Sequence, residues 1–329
     1  MKKLLLLFLP LALSTTLFAK YDNCDFKNDA YEEICKKVVQ EGVSYDYANR
    51  FLLSYFKTQK FDEITWKYIQ PSKIQYHREN EKKANNVLVK FVPKMVANLQ
   101  KYKAVYAYAQ KKYGVNPEII AAILLKETKL GAIKPTHDAF IVFNTILTRT
   151  KEPKTKRQRW LVNMSKTNMA AIIKHCYKKG VTPIECTLPS SYAGAVGIAQ
   201  FMPNSFVFAE GYKKEVADLN TMEDAIVSVA KFLHKKAGFT KPIDFTKIHN
   251  IATIEQQWYD YAYRYRDASF AYEKNRHNKP YHCFSKEKPE LDYLKSYVKK
   301  IMRYNNSSNY AIGVIRLAYE AHRVLMQQK

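Results

Sequence analysis

The sequence predicts a mainly α-helical protein, and three observations carry that prediction. Nine glycines and twelve prolines in 329 residues leave little material for tight turns. Apolar residues recur at helical spacing along most of the chain, while the strict alternation of a half-buried strand is scarce. Start and stop residues frame several of the periodic segments. Hydrophobic residues make up 47% of the chain, enough for a substantial core, which argues against disorder.

The first element, "MKKLLLLFLPLALSTTLFAK", reads as an export signal over residues 1–19. Lys2 and Lys3 give the charged start, an apolar run follows, and Ala19 offers a small residue at the cut. Pro10, Ser14, Thr15 and Thr16 interrupt the run, which is short for a membrane span. The mature protein is expected to begin near Lys20 and to be soluble in the periplasm or cell envelope.

Two helical patterns follow over 29–57, split by "EGVS". A polar stretch over 71–86 precedes a long amphipathic pattern, interrupted at Pro93 and stopped by Gly114. The next helix has a clear start. Asn116 can cap it, Pro117 suits its first position, and Glu118 faces the positive end of the dipole. Gly131 is its natural stop. Within it, "AAILLKETKLG" places Ile120, Ile123, Leu124 and Glu127 on one arc, so Glu127 falls on the buried stripe. Lys126 and Lys129 point elsewhere on such a helix, unless either folds back and lowers the proton affinity of Glu127. Further helices are expected at 139–149, 159–178, 222–237, 253–273, 289–303 and 309–327, the last capped by Ser308. "NRHNKPYHCFSKEKP" reads as a loop.

The net charge is +24, or +22 without Lys2 and Lys3, which suits a polyanionic neighbour or a lysine-rich composition. Export disfavours nucleic acid as that neighbour. Five cysteines allow local bridges, Cys24 with Cys35 and Cys176 with Cys186, with Cys283 left over; the sequence leaves the connectivity open. Cysteines and histidines lack the paired spacing of a zinc site. GxGxxG, P-loop and GxSxG motifs are absent, which removes the usual signals of nucleotide binding and serine-hydrolase chemistry.

A glutamate at the end of an apolar helix is most often paired or turned to water. Burial and the negative helix end would both raise its proton affinity, as a general acid requires. "SSYAGAVGIAQFMPNSF" adds small residues, Gly194, Ala195 and Gly197, which admit either a packed neighbour or a ligand, with Ser191 and Gln200 as neutral hydrogen-bonding groups. "RYNNSSNYAIGVIRLA" adds Tyr304, Asn305, Ser307 and Tyr310 around a helix start. Asp224 heads a helix and reads as a cap.

The order E-T-x-x-G, S-x-A-G-A-x-G-x-x-Q-F-M-P, D-A-I-x-S-V-A and R-Y-N-x-S-x-x-Y-A, strongest over 116–318, resembles the lytic transglycosylases, and most of all the B-type membrane-bound family. The resemblance implies a lysozyme-like helical core over 115–329 with an N-terminal helical region, 20–114, packed on it. It also implies cleavage of the MurNAc-β-1,4-GlcNAc bond of peptidoglycan with 1,6-anhydroMurNAc ends. Glu127 matches the family's single acid/base, and Ser191 and Gln200 match substrate positions. Tyr304, Asn305 and Tyr310 match an aromatic-and-asparagine wall, and Tyr76 a tyrosine that closes the cleft. Phe232 stands where a cleft tyrosine is expected, so stacking without a hydroxyl is implied. The family's acidic calcium loop is here "EGYKKEVADLNTME", shorter and partly basic, so no metal or other cofactor is expected. The glycine and valine that often precede the glutamate are missing. A monomer acting on glycan strands is expected, without nucleic acid. The alternatives are a lysozyme-type muramidase, which adds water, and a non-catalytic peptidoglycan-binding or scaffold protein.

Overall fold

The computed structural model describes residues 24–26, 28–58, 60–259 and 289–328. The export signal, Cys283, the end of the 253–273 pattern and most of the Lys/Pro/His-rich connection lie outside the described residues.

In chain order the first helices are α1 (Asp29–Gln40), α2 (Tyr45–Thr58), α3 (Glu63–Tyr68), α4 (Ile74–Leu88), α5 (Val92–Lys101), α6 (Lys103–Tyr113) and α7 (Pro117–Thr128). Then come α8 (Ala139–Arg149), α9 (Lys156–Lys178) and α10 (Met222–Lys235). Residues 251–259 are helical and are called α11. The chain ends with α12 (Pro289–Ile301) and α13 (Ser308–Gln327). Two short strands, β1 (His137–Asp138) and β2 (Pro189–Ser190), pair antiparallel with His137 opposite Ser190. No described helix is long and apolar enough to cross a membrane.

The chain forms two discontinuous compact units. One holds the described residues up to Lys67 together with His137–Gly194; the other holds Tyr68–Thr136 and the chain from Ala195 onward. Residue 114, the expected junction, falls inside the second unit.

In the first unit α1 and α8 pack on α9. The Asn28 side chain caps α1 by accepting from the amides of Ala30 and Tyr31, at 3.1 and 3.2 Å. A capping box between Thr155 and Gln158 starts α9 at Lys156, three residues before its apolar periodicity begins. Buried Tyr31 donates its hydroxyl to the Asn144 amide oxygen. Cys24 pairs with Cys35, and Cys176 with Cys186.

The second unit is organised around α7. Every side chain from Ile119 to Leu125 is 0% exposed, so α7 is buried all round and not along one stripe. α5, α6, α10 and α13 surround it. The polar stretch expected between helices is itself helical: α4 buries Asn85 and Leu88 and packs on α13. Its polar composition hid this, because only a narrow strip of α4 is covered. Pro93 lies in the first turn of α5, just past a 3-10 turn at Val89–Phe91, and Gly114 ends α6 at φ 68°.

Asn116 occupies the N-cap position of α7 but makes no cap bond. Its amide instead clamps a distant backbone: Nδ2 donates to the Ile243 carbonyl at 3.0 Å, and the Ile243 amide donates to Oδ1 at 2.7 Å. A buried amide gains more from two fully desolvated partners than from a helix end that Pro117 already relieves of one donor. Asn116→Ala is therefore expected to lower stability by about 2–4 kcal/mol, because it strands two buried backbone groups. Denaturant unfolding measures this, and a loss within 0.5 kcal/mol, the ordinary range of a surface change, would remove the clamp as a stabilising element.

Candidate active site

Glu127 is the penultimate residue of α7. Beyond Thr128 the backbone turns left-handed through Lys129, Leu130 and Gly131, at φ 50°, 61° and 81°. The amide of Lys129 returns to the Leu125 carbonyl at 2.9 Å and that of Leu130 to the Leu124 carbonyl at 3.0 Å. These bonds close the helix two residues before the expected stop at Gly131. The Thr128 hydroxyl then donates to the Ile198 carbonyl at 2.9 Å, which holds the turn of residues 196–201 at the end of α7.

That turn is closed by paired backbone bonds between Val196 and Phe201, both 2.9 Å. Gly197 sits at φ 74°, and a Cβ there would come within 2.6 Å of the Leu219 carbonyl oxygen. What this glycine admits is protein backbone, not ligand. Gln200, half-buried in the same turn, donates its amide to the Gly197 carbonyl at 2.9 Å.

The α13 end supplies the contact to the acid. The Tyr310 hydroxyl donates to Glu127 Oε1 at 2.6 Å. Ser307, not Ser308, is the N-cap of α13; its oxygen accepts from the Tyr310 amide at 3.2 Å, and its hydroxyl donates to Glu81. The Tyr304 hydroxyl donates to the Ala199 carbonyl, which links this segment to the turn. Asn305 is half-buried, and among the described residues its side-chain amide has no hydrogen-bond partner.

Phe232 does not offer a stacking face. It is 4% exposed and packs edge-on against Tyr304 at 5.0 Å, with Phe201 and Phe208 around it. In the last turn of α10 it faces the core, where it backs the Tyr304 ring. Tyr310 is equally buried at 4% and meets the acid through its hydroxyl. Tyr76 on α4 is 50% exposed, with the Lys73 ammonium 5.6 Å above its ring. Ser191 belongs to the first unit, where its carbonyl accepts from the Gly194 amide at 2.8 Å. In that unit Gly194 makes room for the Phe143 ring, 2.4 Å from where a Cβ would stand.

Burial pushes the Glu127 carboxyl up to about 7, and the charge of Glu81 adds to the rise. The Tyr310 hydroxyl and the Lys126 ammonium oppose it. Tyr304 and Tyr310 are held well above the ordinary phenol range by burial and then by Glu127, so both stay neutral donors. Glu127 is half-buried, so its carboxyl combines a low-dielectric surround with an accessible face. A carboxyl that holds its proton near neutrality beside a fixed hydroxyl is equipped for general acid and then general base work.

The sequence put Lys126 elsewhere on the helix unless it folds back toward Glu127. It does not point away but lies with its ammonium 4.9 Å from the centroid of the Tyr310 ring. Lys129 does turn away, over the Phe91 ring at 5.3 Å. Gly313 was the available signal, because a small residue in mid-helix marks a close approach. Asp224 caps a loop and not its own helix: it accepts from the amides of Tyr212 and Asp218 and pairs with Lys214 at 2.7 Å. Among the described residues no cluster of His, Cys, Asp or Glu is arranged to hold a metal ion.

A family model described as a transglycosylase SLT domain matches residues 26–319. No curated protein matches the sequence. Among solved structures, the chain is similar to the soluble lytic transglycosylase SltB1 of Pseudomonas aeruginosa, with 18% identity, a TM-score of 0.59, and 91% of this chain and 99% of that one covered. The Escherichia coli lytic transglycosylase Slt35, solved with calcium, matches at 19% identity and a TM-score of 0.51, covering 91% and 95% of the two chains. SltB3 of Pseudomonas aeruginosa, solved with NAG-anhNAM-pentapeptide, matches at 16% identity and a TM-score of 0.52, covering 88% and 78%. At these identities the likeness establishes the helical fold.

The elevated proton affinity has a stability consequence. An ordinary glutamate titrates at 4.5, the folded Glu127 at about 7. Well below pH 4.5 folded and unfolded chains both hold this proton. As pH rises through the interval the unfolded chain releases it first, so the native fold loses stability, by roughly 3 kcal/mol once both forms are ionised. Glu127→Gln keeps the neutral form and is expected to gain about that much over wild type above neutrality, and almost nothing near pH 4. Urea unfolding at the two pH values checks this; an equal difference at both would mean that the carboxyl is not held neutral.

Proposed function

The chain belongs to the transglycosylase SLT domain family, and from that premise we infer that it is a peptidoglycan lytic transglycosylase with Glu127 as its single acid and base. The observation that carries the assignment to Glu127 is its raised proton affinity together with the fixed Tyr310 hydroxyl on Oε1. Most glycosidases use two carboxylates across the scissile bond. Here the other carboxylate felt by Glu127, Glu81, is taken up by the Ser307 hydroxyl at the start of α13.

One carboxyl suffices when the substrate supplies the nucleophile. Protonated Glu127 gives its proton to the glycosidic oxygen between MurNAc and GlcNAc as the anomeric C–O bond breaks. The N-acetyl carbonyl of MurNAc stabilises the positive charge left at the anomeric carbon. Ionised Glu127 then takes the proton of the 6-hydroxyl on the same sugar, and that oxygen closes on the anomeric carbon. The products are a GlcNAc hydroxyl and a 1,6-anhydroMurNAc end. No water is consumed, and Glu127 ends as it began.

The Tyr310 hydroxyl steadies the carboxylate between the two proton transfers, because a donated hydrogen bond favours the charged form. Asn305 has an unengaged amide for the substrate's N-acetyl or peptide groups, and the exposed ring of Tyr76 can stack on a sugar. Ser191 and Gln200 are assigned to substrate contact, and Phe232 to support of Tyr304. Glycan strands are the substrate, the protein acts as a monomer, and the charged and apolar N-terminal run directs it to the periplasm or cell envelope. The large positive charge favours residence near an anionic wall or membrane face.

Digestion of purified sacculi tests the reading. Wild type is expected to release fragments with 1,6-anhydroMurNAc ends, and its rate to fall on the alkaline side as Glu127 ionises near pH 7. Glu127→Gln is expected to lose on the order of 10³-fold in turnover while still binding glycan. Mass spectra with only reducing MurNAc ends would instead establish a muramidase. Binding without cleavage by wild type would establish a scaffold protein.

A further inference from the structure

The residue before the acid is a half-buried lysine on a helix whose other inner positions are apolar. A lysine stem long enough to reach solvent ordinarily carries its ammonium there. Lys126 instead directs Nζ inward, where it donates to Asn85 Oδ1 and lies 4.9 Å from the Tyr310 ring centroid. Asn85 is built to receive it. The residue is 0% exposed, and its Nδ2 donates to the Tyr259 hydroxyl at 2.7 Å and to the Asn309 carbonyl at 2.8 Å. With both amide hydrogens committed, Oδ1 is left facing the ammonium. Gly313 on α13 makes the space: a Cβ there would stand 2.1 Å from Asn85 Oδ1.

Resting on the reading of Glu127 as the acid, we propose that Lys126 is a positioning residue for it: the ammonium, seated against the Tyr310 ring and held by Asn85, favours the ionised carboxylate that must form between the two proton transfers. Proton donation leaves a negative charge in a poorly solvated place. A cation on the adjacent residue lowers the energy of that state without touching the substrate. The same ammonium grips the face of the ring whose hydroxyl lies on Oε1, so charge and alignment act together.

The other charged groups around the pair are accounted for. From α4, Glu81 faces both Lys126 and Glu127, while Lys82 lies over the Tyr259 ring at 5.4 Å. From α11, Glu255 favours the charged lysine but is itself paired with Arg316 of α13 and accepts from Tyr259. Tyr304 and Tyr310 stay neutral. α5 and α6 bring apolar faces and tyrosine to this unit's core, and the α10 carboxylate Asp224 is bound to Lys214. Burial opposes the charge on Lys126 and lowers its proton affinity, and Glu81, Glu127 and Glu255 offset part of that fall.

The test compares Lys126→Met with Lys126→Arg. Rates on sacculi are measured from acid to alkaline pH, and the alkaline limb is read for each. Loss of the cation makes Glu127 harder to ionise, so K126M is expected to move the limb up by roughly one pH unit, with K126R moving less than half as far. A K126M limb that coincides with wild type, or a K126R limb displaced as far as that of K126M, overturns the proposal. A second readout needs no activity: the pH dependence of the stability gained by E127Q is measured with and without K126M. Its midpoint is expected to rise when the lysine is absent, and an unmoved midpoint also overturns the proposal. Lys126→Gln, which keeps an amide donor toward Asn85, replaces K126M if that variant does not unfold cooperatively. Because the stability readout works on an inactive protein, a wild type that fails to cleave sacculi removes the functional reading alone.

Discussion

The Tyr310 hydroxyl on Glu127 Oε1 joins residues 183 positions apart, and it can form only because α7 and α13 lie along one another in the second unit. Everything that fixes those two helices therefore fixes the acid. The fully buried run from Ile119 to Leu125 holds α7, with each large apolar side chain contributing about 1.5–3 kcal/mol. The Ser307 cap starts α13 at the position that points Tyr310 inward. This scale of burial is what lets the unit carry a carboxyl and an ammonium on adjacent residues near its core, both partly desolvated.

Much of the fold was legible in the sequence, and the failures share a cause. α1, α8 and α10 begin within a residue of where apolar spacing and turn residues put them. α4 was missed because its covered strip rests on Asn85, Leu88 and small neighbours, too few apolar residues to register as a period. Asn116, Ser308 and Asp224 were each assigned to cap their own helix, and none does. A side chain near a helix start satisfies whichever buried backbone lacks a partner, and a single sequence does not say which distant loop that is.

Within the site, the sequence singled out Glu127 because a carboxylate among aliphatic residues is costly, while the acid/base role proposed for it came from the family resemblance. It left open whether Lys126 or Lys129 folds back toward that carboxyl. One ring of Tyr310 bonds the acid at its hydroxyl and meets the lysine at its face, and that bridge exists only in three dimensions. Phe232 and Tyr310 were both read as cleft residues, yet both are 4% exposed. An aromatic residue fits the face of a sugar and the inside of a core equally well, so residue type alone could not separate the two. Asn305 and Tyr76 keep polar or ring surface unspent by the protein, which makes them the better candidates for ligand contact.

The end of α7 shows how the position of the acid is held. Lys129 and Leu130 accept left-handed φ values of 50° and 61°, a conformation that costs roughly 1–2 kcal/mol per residue outside glycine. Two backbone bonds, to Leu125 and Leu124, offset part of that cost. Another turn of helix would carry the chain past Ile198 and lose the Thr128 bond that docks the 196–201 turn. It would also place Glu127 in mid-helix, away from the terminal carbonyls whose negative potential favours the protonated acid. Stopping early keeps the carboxyl at the negative end, where burial and the helix terminus raise its proton affinity while Tyr310 and Lys126 lower it. A value close to neutrality is the balance of those opposed effects, and neither set alone would leave Glu127 able both to give and to take a proton.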